Sequence, residues 1–190
     1  MDLSKLTDFT LLGLFKNETP KSSVPSSIAA FDEVLRRYER LIFHIARTYF
    51  KNTEDAKDAT QDTAIKIYTN LSRVVIPEDG SLKPWIVTVV ARTCLDALRK
   101  KRPQTVNLDI DQAGGTEFSA EDRVIAKEKA EEILAAIKKL PDNQRMIIIL
   151  RDMKGLSYED IAKALDMNMG TVKSKLSRAR AALKQLLEKR

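Results

Sequence analysis

The stretch from Leu140 to Lys184 admits few folds, because its apolar residues and its breaks fall where three helices joined by two tight turns require them. Gly155 closes one apolar run, glycine being the residue that enters a left-handed helix cap at least cost. Ser157 opens the next run with Asp160 three residues on, in the manner of a capping box, and Ile161, Ala162 and Leu165 give that helix an inward side. After a break at Asp166 and Met167, Asn168 is placed to cap a third helix, in which Val172, Leu176, Ala179 and Leu183 recur at helical spacing. At about 100° per residue these four share one side.

The opposite side of that third helix carries Gly170, Ser174, Ser177, Arg178 and Ala181, with Lys173 and Lys175 on its flanks. From Met169 onward the cations are Lys173, Lys175, Arg178, Arg180, Lys184, Lys189 and Arg190, and the only acid is Glu188. A face of this sign attracts phosphate. Small residues near the helix start allow close approach of the backbone, and Ser and Arg reach base edges in a major groove. The alternative is a solvated basic face on a packing helix; the helix-turn-helix spacing favours a recognition helix.

Composition narrows the chemistry further. The 190 residues, 43% of them apolar, suffice for one or two domains with cores, and a net charge of +6 favours a polyanionic partner. Cys94 is the sole cysteine and His44 the sole histidine, which leaves no disulfide framework, no zinc ligand set and no Cys/His or Ser/His catalytic pair. A lone histidine on a helix reads as structural or surface. No run approaches the ~18 apolar residues of a membrane span, and the start lacks the pattern of a secretory leader. The expectation is a cytoplasmic protein without cofactor, metal or membrane insertion.

Ahead of this stretch, residues 1–27 hold a short apolar patch from Phe9 to Phe15 and then a Pro/Ser-rich segment, read as a short helix and a flexible link. A helix docked on the first domain and a mobile arm are both open. Residues 28–50 form a long amphipathic helix through Phe31, Val34, Leu35, Tyr38, Leu41, Ile42, Ile45 and Tyr49. Asn52 or Thr53 starts a second, with Ala56, Ala59, Thr63, Ile67 and Leu71 on one side and Asp55, Asp58, Gln61, Asp62 and Lys66 mostly off it. Three carboxylates so spaced admit a divalent-metal site, a docking face for a basic partner, or a solvated face near a helix N-terminus. The metal ranks last, since one helix offers too few convergent ligands.

Ser72 to Leu82 reads as a loop, punctuated by Pro77 and Gly80. A third helix from about Lys83 to Arg102 turns Ile86, Val89, Val90, Thr93 and Ala97 to a core and leaves Trp85, Thr88, Arg92, Asp96 and Arg99 on another side. Trp beside two Arg suits a surface that stacks nucleic-acid bases, although a single Trp is more often core. Residues 103–118, with Pro103, Gly114 and Gly115 and an acidic bias, read as a flexible linker. Ser119 with Asp122 restarts helix, whose apolar side runs through Val124, Ile133, Leu134, Ile137 and Leu140. The helix from Asp142 to Met153 is expected to be the most buried of the second domain.

Several of these segments resemble bacterial RNA polymerase sigma factors of the extracytoplasmic-function (ECF) group. Leu140-Pro141 with Gln144-Arg145, the run Gly155 to Ala162, and Gly170 to Lys175 with Arg178-Ala179-Arg180 resemble the family's region 4. Asp55 to Asp62 resembles region 2.2, and Pro84-Trp85-Ile86 through Ala91-Arg92 to Asp96–Lys101 resembles regions 2.3 and 2.4. The resemblance implies an all-α chain without catalytic chemistry: an N-terminal extension (1–27), a three-helix region 2 domain (28–102), the acidic linker, and a region 4 helix-turn-helix domain (119–190). It implies that Asp55, Asp58, Gln61 and Asp62 grip the β′ clamp of core RNA polymerase, with the β flap as region 4's partner. Trp85, Thr88, Arg92, Asp96, Arg99 and Lys100 would contact the promoter −10 element as its strands separate, with the 72–82 loop pocketing a flipped base. Thr171, Lys173, Ser174, Lys175, Ser177 and Arg178 would read the −35 element. An anti-sigma factor is a further partner it admits.

The chain departs from the family pattern at Asp166, where Gly is usual, at Asn168 for Ser, and at Thr93 for Asn. Asp tolerates left-handed backbone better than most residues, and Asn caps as well as Ser. Two rivals remain: a free-standing helix-turn-helix regulator, and a Mg²⁺-dependent phosphotransferase built on Asp55, Asp58 and Asp62, which lacks a phosphate loop and a nucleophile.

Overall fold

Helical periodicity persists wherever the chain is described, and the elements follow it. The computed structural model describes the backbone of residues 2–16, 26–101 and 120–188, and the side chains of 2–16, 27–100 and 128–188. Eight α-helices run through these residues: α1 (Asp8–Lys16), α2 (Ser26–Tyr49), α3 (Thr53–Asn70), α4 (Lys83–Lys101), α5 (Ala120–Lys139), α6 (Asp142–Ile148), α7 (Tyr158–Leu165) and α8 (Met169–Glu188). Two 3₁₀ turns, Leu3–Lys5 and Leu71–Arg73, and a π-helical turn, Ile149–Met153, complete them, and no strand occurs among the described residues. The expected linker and Ser119 lie outside the described residues, as do the side chains of Asp122 and Val124.

Helices α2, α3 and α4 pack together as the amino-terminal domain. Val34, Ile42, Ile45 and Tyr49 of α2 meet Ala56, Ala59 and Ile67 of α3 and Ile86 and Val90 of α4 in one core. Each such aliphatic side chain, fully buried, contributes roughly 1.5–3 kcal/mol. The Asn52 side chain accepts the Glu54 N–H at 2.9 Å and so starts α3. Of the two open readings for the N-terminal segment, docking is the one observed: Leu11 and Leu12 of α1 are buried, and Phe15 meets Phe31 and Tyr68 in an aromatic cluster.

In the carboxy-terminal domain, Arg145 to Leu150 are all buried, as expected of its central helix. That helix does not run regularly to Met153: its last turn widens into the π form, a local adjustment that is rare and often functional. On α5, Ile137 is 2% exposed but Ile133, one turn earlier on the expected apolar side, is 43% exposed.

Helix α4 is buried more broadly than one stripe. Ile86, Val90 and Thr93 are buried as expected, Val89 and Ala97 only partly, and Val87, Ala91 and Cys94 join them. The reason is a third neighbour: besides α2 and α3, α4 packs against α7 of the other domain. A second tie crosses between the domains where Arg145 Nη1, on α6, donates to the Tyr49 carbonyl at the end of α2 (2.8 Å). The same guanidinium lies 5.4 Å from the Tyr49 ring centroid and donates through Nη2 to the carbonyls of Lys138 and Leu140, each at 2.9 Å.

Candidate nucleic-acid interface

The turn that presents α8 is made by local chemistry. Ser157 Oγ accepts the Asp160 N–H at 3.0 Å and donates to Asp160 Oδ2 at 2.8 Å, a capping box whose return bond goes to the hydroxyl. Gly155 takes φ 74° and Asp166 takes φ 52°, so the aspartate at the usual glycine position does occupy the left-handed region. Asn168 Oδ1 accepts the Thr171 N–H at 2.7 Å and starts α8. Val172, Leu176 and Ala179 face the core, Leu183 is half-buried, and Gly170, Lys173, Ser174, Ser177, Arg178 and Ala181 are exposed; Thr171 and Lys175 are half-buried.

Three cations of this helix have partners, among them Lys184, which pairs with Glu188 at 3.6 Å. Arg180 makes a two-pronged pair with Asp152 (Nε–Oδ2 3.1 Å, Nη2–Oδ1 2.5 Å) that locks α8 to the π-helical turn and raises the Arg180 pKa. The Lys173 ammonium sits 5.7 Å from the centre of the Tyr158 ring, whose face also carries the Arg151 guanidinium at 4.6 Å. Arg151 in turn donates to the Leu156 carbonyl at 2.6 Å. Arg178 and Ser174 remain directed at solvent, with Ser174 Oγ donating back to the Thr171 carbonyl at 3.1 Å.

On α4 the expected residues share a side but not a fate. Trp85 is half-buried against the core, and Thr88 Oγ1 donates to the Pro84 carbonyl at 2.9 Å. Asp96 lies between Lys66 (3.8 Å) and Arg99 (3.6 Å), while Arg99 and Lys100 are exposed. Arg92 is already engaged: Nε donates to the Ala164 carbonyl at 3.1 Å and Nη2 to the Lys163 carbonyl at 2.8 Å, both at the C-terminal end of α7. A cation on the carbonyl end of a helix also meets its favourable dipole.

On α3, Asp58, Gln61 and Asp62 are exposed and Asp55 is half-buried. Ile65, 62% exposed, follows Asp62 by one turn on the same side, and Tyr68, 52% exposed, continues it. Sequence reasoning missed this apolar component, although Ile65 falls off the buried stripe of Ala56, Ala59, Thr63 and Ile67 and could have been noticed for that reason. Among the described residues no three His, Cys, Asp or Glu side chains converge to hold a metal. Burial pushes the Cys94 thiol up to about 12, which leaves it an inert core residue. No described helix is long and apolar enough to cross a membrane.

With this geometry in view, the likeness to known proteins is specific. The family profile described as "Sigma-70 region 2" matches residues 34–104, and "Sigma-70, region 4" matches residues 130–183. The ECF RNA polymerase sigma factor SigM of Mycobacterium tuberculosis is 34% identical over 160 residues, spanning 83% of this chain and 77% of that one. SigW of Bacillus subtilis is 30% identical over 169 residues, spanning 83% and 89%. Among solved structures, the sigma factor RpoE of Bartonella quintana, in complex with the anti-sigma factor NepR, shares the fold at a TM-score of 0.67 and 24% identity, covering 84% of this chain and 97% of that one. A chain that matches both sigma-70 regions in order, at this identity to a relative spanned over most of its length, belongs to the ECF RNA polymerase sigma factors.

Proposed function

We propose that this alternative sigma factor binds core RNA polymerase through the exposed α3 face, takes hold of the −10 element with α4 and the loop before it, and reads the −35 element with α8. The observation that carries the proposal is the presence, in one chain, of two separate helices with polar, basic outer faces beside an acidic and apolar face on α3. Asp58 and Asp62 complement a basic coiled coil such as the β′ clamp, and Ile65, one turn beyond Asp62 on the same side, adds an apolar contact at the edge of that face. The carboxy-terminal domain would sit on the β flap. Thr171, Lys173, Ser174, Lys175, Ser177 and Arg178 would face the −35 major groove, with Arg178 and Lys173 as the reaching cations.

At −10, extruding a base costs a few kcal/mol. Stacking on Trp85, at about 1–3 kcal/mol per base, and phosphate contacts from Arg92, Arg99 and Lys100 offset it. In the free chain two of the Arg92 donors, Nε and Nη2, are taken by α7. Polymerase that drew the two domains apart would free those donors for the promoter. The chemistry of RNA synthesis belongs to polymerase, in the cytoplasm, and the chain contributes no catalytic group. An anti-sigma factor would act by holding the closed arrangement.

Run-off transcription with purified core polymerase on a pool of promoter fragments tests the proposal. Initiation at specific fragments only when the chain is added supports it. Stable duplex binding by the chain alone, with no initiation, would instead identify a free-standing regulator.

A further inference from the structure

The residues before α2 carry a feature that the polymerase and promoter reading does not use. Asp8, the first residue of α1, is only 8% exposed, yet it ionises readily: burial alone would raise its pKa, but hydrogen bonds from Tyr38, Leu82, Ser81 and Arg37 hold it below the usual carboxylate value. Its Oδ2 accepts the Leu82 N–H at 2.8 Å, the Ser81 hydroxyl at 3.0 Å and the Tyr38 hydroxyl; its Oδ1 accepts Arg37 Nη1 at 3.1 Å. Ser81 and Leu82 are the last residues of the loop that leads into α4.

At the other end of α1, Lys16 Nζ donates to the carbonyl of Val74, where that same loop begins. The loop between these two ties turns tightly on itself. Gly80 N–H donates to the Pro77 carbonyl at 2.8 Å, and a Cβ on Gly80 would come within 2.7 Å of the Pro77 ring. The tip stands in solvent, with Val75 87% exposed and Pro77, Glu78 and Asp79 exposed. A helix of this length spans about 12 Å between its terminal residues. It thus sets the separation of the loop's two ends.

We infer that α1 is a brace that holds the 74–82 loop in the shape that receives the extruded −10 base, with Asp8 as its principal positioning residue. The inference rests on the reading of that loop as the base pocket. A site displaced by about 1 Å loses up to about a hundredfold in a geometry-dependent step, so slack at either anchor should appear as lost selectivity rather than lost binding.

The experiment uses the full chain in holoenzyme on the promoter identified by run-off, with each −10 position replaced in turn. Asp8→Asn leaves an amide facing donors on every side; Lys16→Met loosens one anchor without burying an unpaired charge, and Ser81→Ala loosens the other while also removing the acceptor of the Lys83 N–H at the start of α4. The expected result is that the preference for the favoured base at one −10 position falls roughly tenfold in Asp8→Asn and severalfold in the milder variants. Polymerase affinity and −35 preference should stay unchanged. Ile67→Val in the core is the structural control, lowering the melting temperature without touching that preference. Unchanged −10 selectivity in all three variants, or an equal loss on every base, would overturn the inference. Val75→Ala in the loop separates the two layers. If it alters selectivity while the α1 variants do not, the brace is wrong; if neither does, the loop does not read a base.

Discussion

Helices α4 and α8 carry similar chemistry on their outer faces, small or polar residues among Arg and Lys, yet the free chain treats them in opposite ways. The outer face of α8 stands in solvent, with Lys173, Ser174, Ser177 and Arg178 exposed. On α4 the guanidinium of Arg92 is bound to the last carbonyls of α7, and α7 itself packs along the helix. The covering element is the first helix of the very motif that presents α8. The arrangement therefore leaves the outer face of α8 in solvent and engages that of α4 at Arg92, while Arg99 and Lys100 stay exposed.

The strongest way to break this contrast is at Arg145, 6% exposed, whose guanidinium serves the carbonyls of Tyr49, Lys138 and Leu140. Arg145→Met should cost about 3 kcal/mol, since it leaves three carbonyls without their donor. It should separate the domains as it destabilises the second, which denaturant unfolding and small-angle scattering will read together. Next in size is Arg178→Ala, with about 1–3 kcal/mol lost at one −35 base pair and no change in the radius of gyration. Equal loss on all −35 sequences would make Arg178 a phosphate contact. Arg92→Ala should move the closed–open balance by about 1 kcal/mol, roughly fivefold, as it removes two hydrogen bonds to α7. If Arg178→Ala expands the free chain as much as Arg92→Ala does, the contrast between the two helices fails.

The smallest effect concerns pH. Lys138 is pushed down to about 8 by burial, with Arg47 and Arg145 adding repulsion. Its folded pKa lies below the unfolded value of 10.5, so the unfolded chain binds more protons between these limits. Stability should therefore rise as pH goes from about 8 to about 10.5 and be lower, and flat, beneath that window. Lys138→Met should remove the slope in a melting-temperature series.

What could be read from sequence was what residues near one another decide. Gly155, Ser157 and Asn168 announce the ends of their helices because caps act over two or three residues, and they appear where expected. The buried sides of α2, α3 and α8 follow for the same reason. The contacts of Arg92 with α7, of Arg145 with Tyr49 and of Arg180 with Asp152 did not follow, because each of those partners lies tens of residues away. Arg180 counts as a phosphate-seeking charge until Asp152 is seen beside it. Asp8 likewise looks like an ordinary first-turn acid until Leu82 and Ser81 arrive from beyond α3. The extra burial of Val87, Ala91 and Cys94 depends on the packing of one domain on the other, to which a single helix's periodicity is blind.

The distance between the two domains with and without polymerase shows most directly whether α4 is uncovered on binding. Glu39 on α2 and Lys184 on α8 are both exposed, and Cys94 is fully buried, so paired dyes on Glu39→Cys and Lys184→Cys would report on that distance by energy transfer. High transfer in the free chain, falling when core polymerase is added and remaining low on promoter DNA, is the predicted result. Transfer that is equally high on polymerase at a melted promoter, or already low in the free chain, would contradict the claim that α4 is uncovered by polymerase.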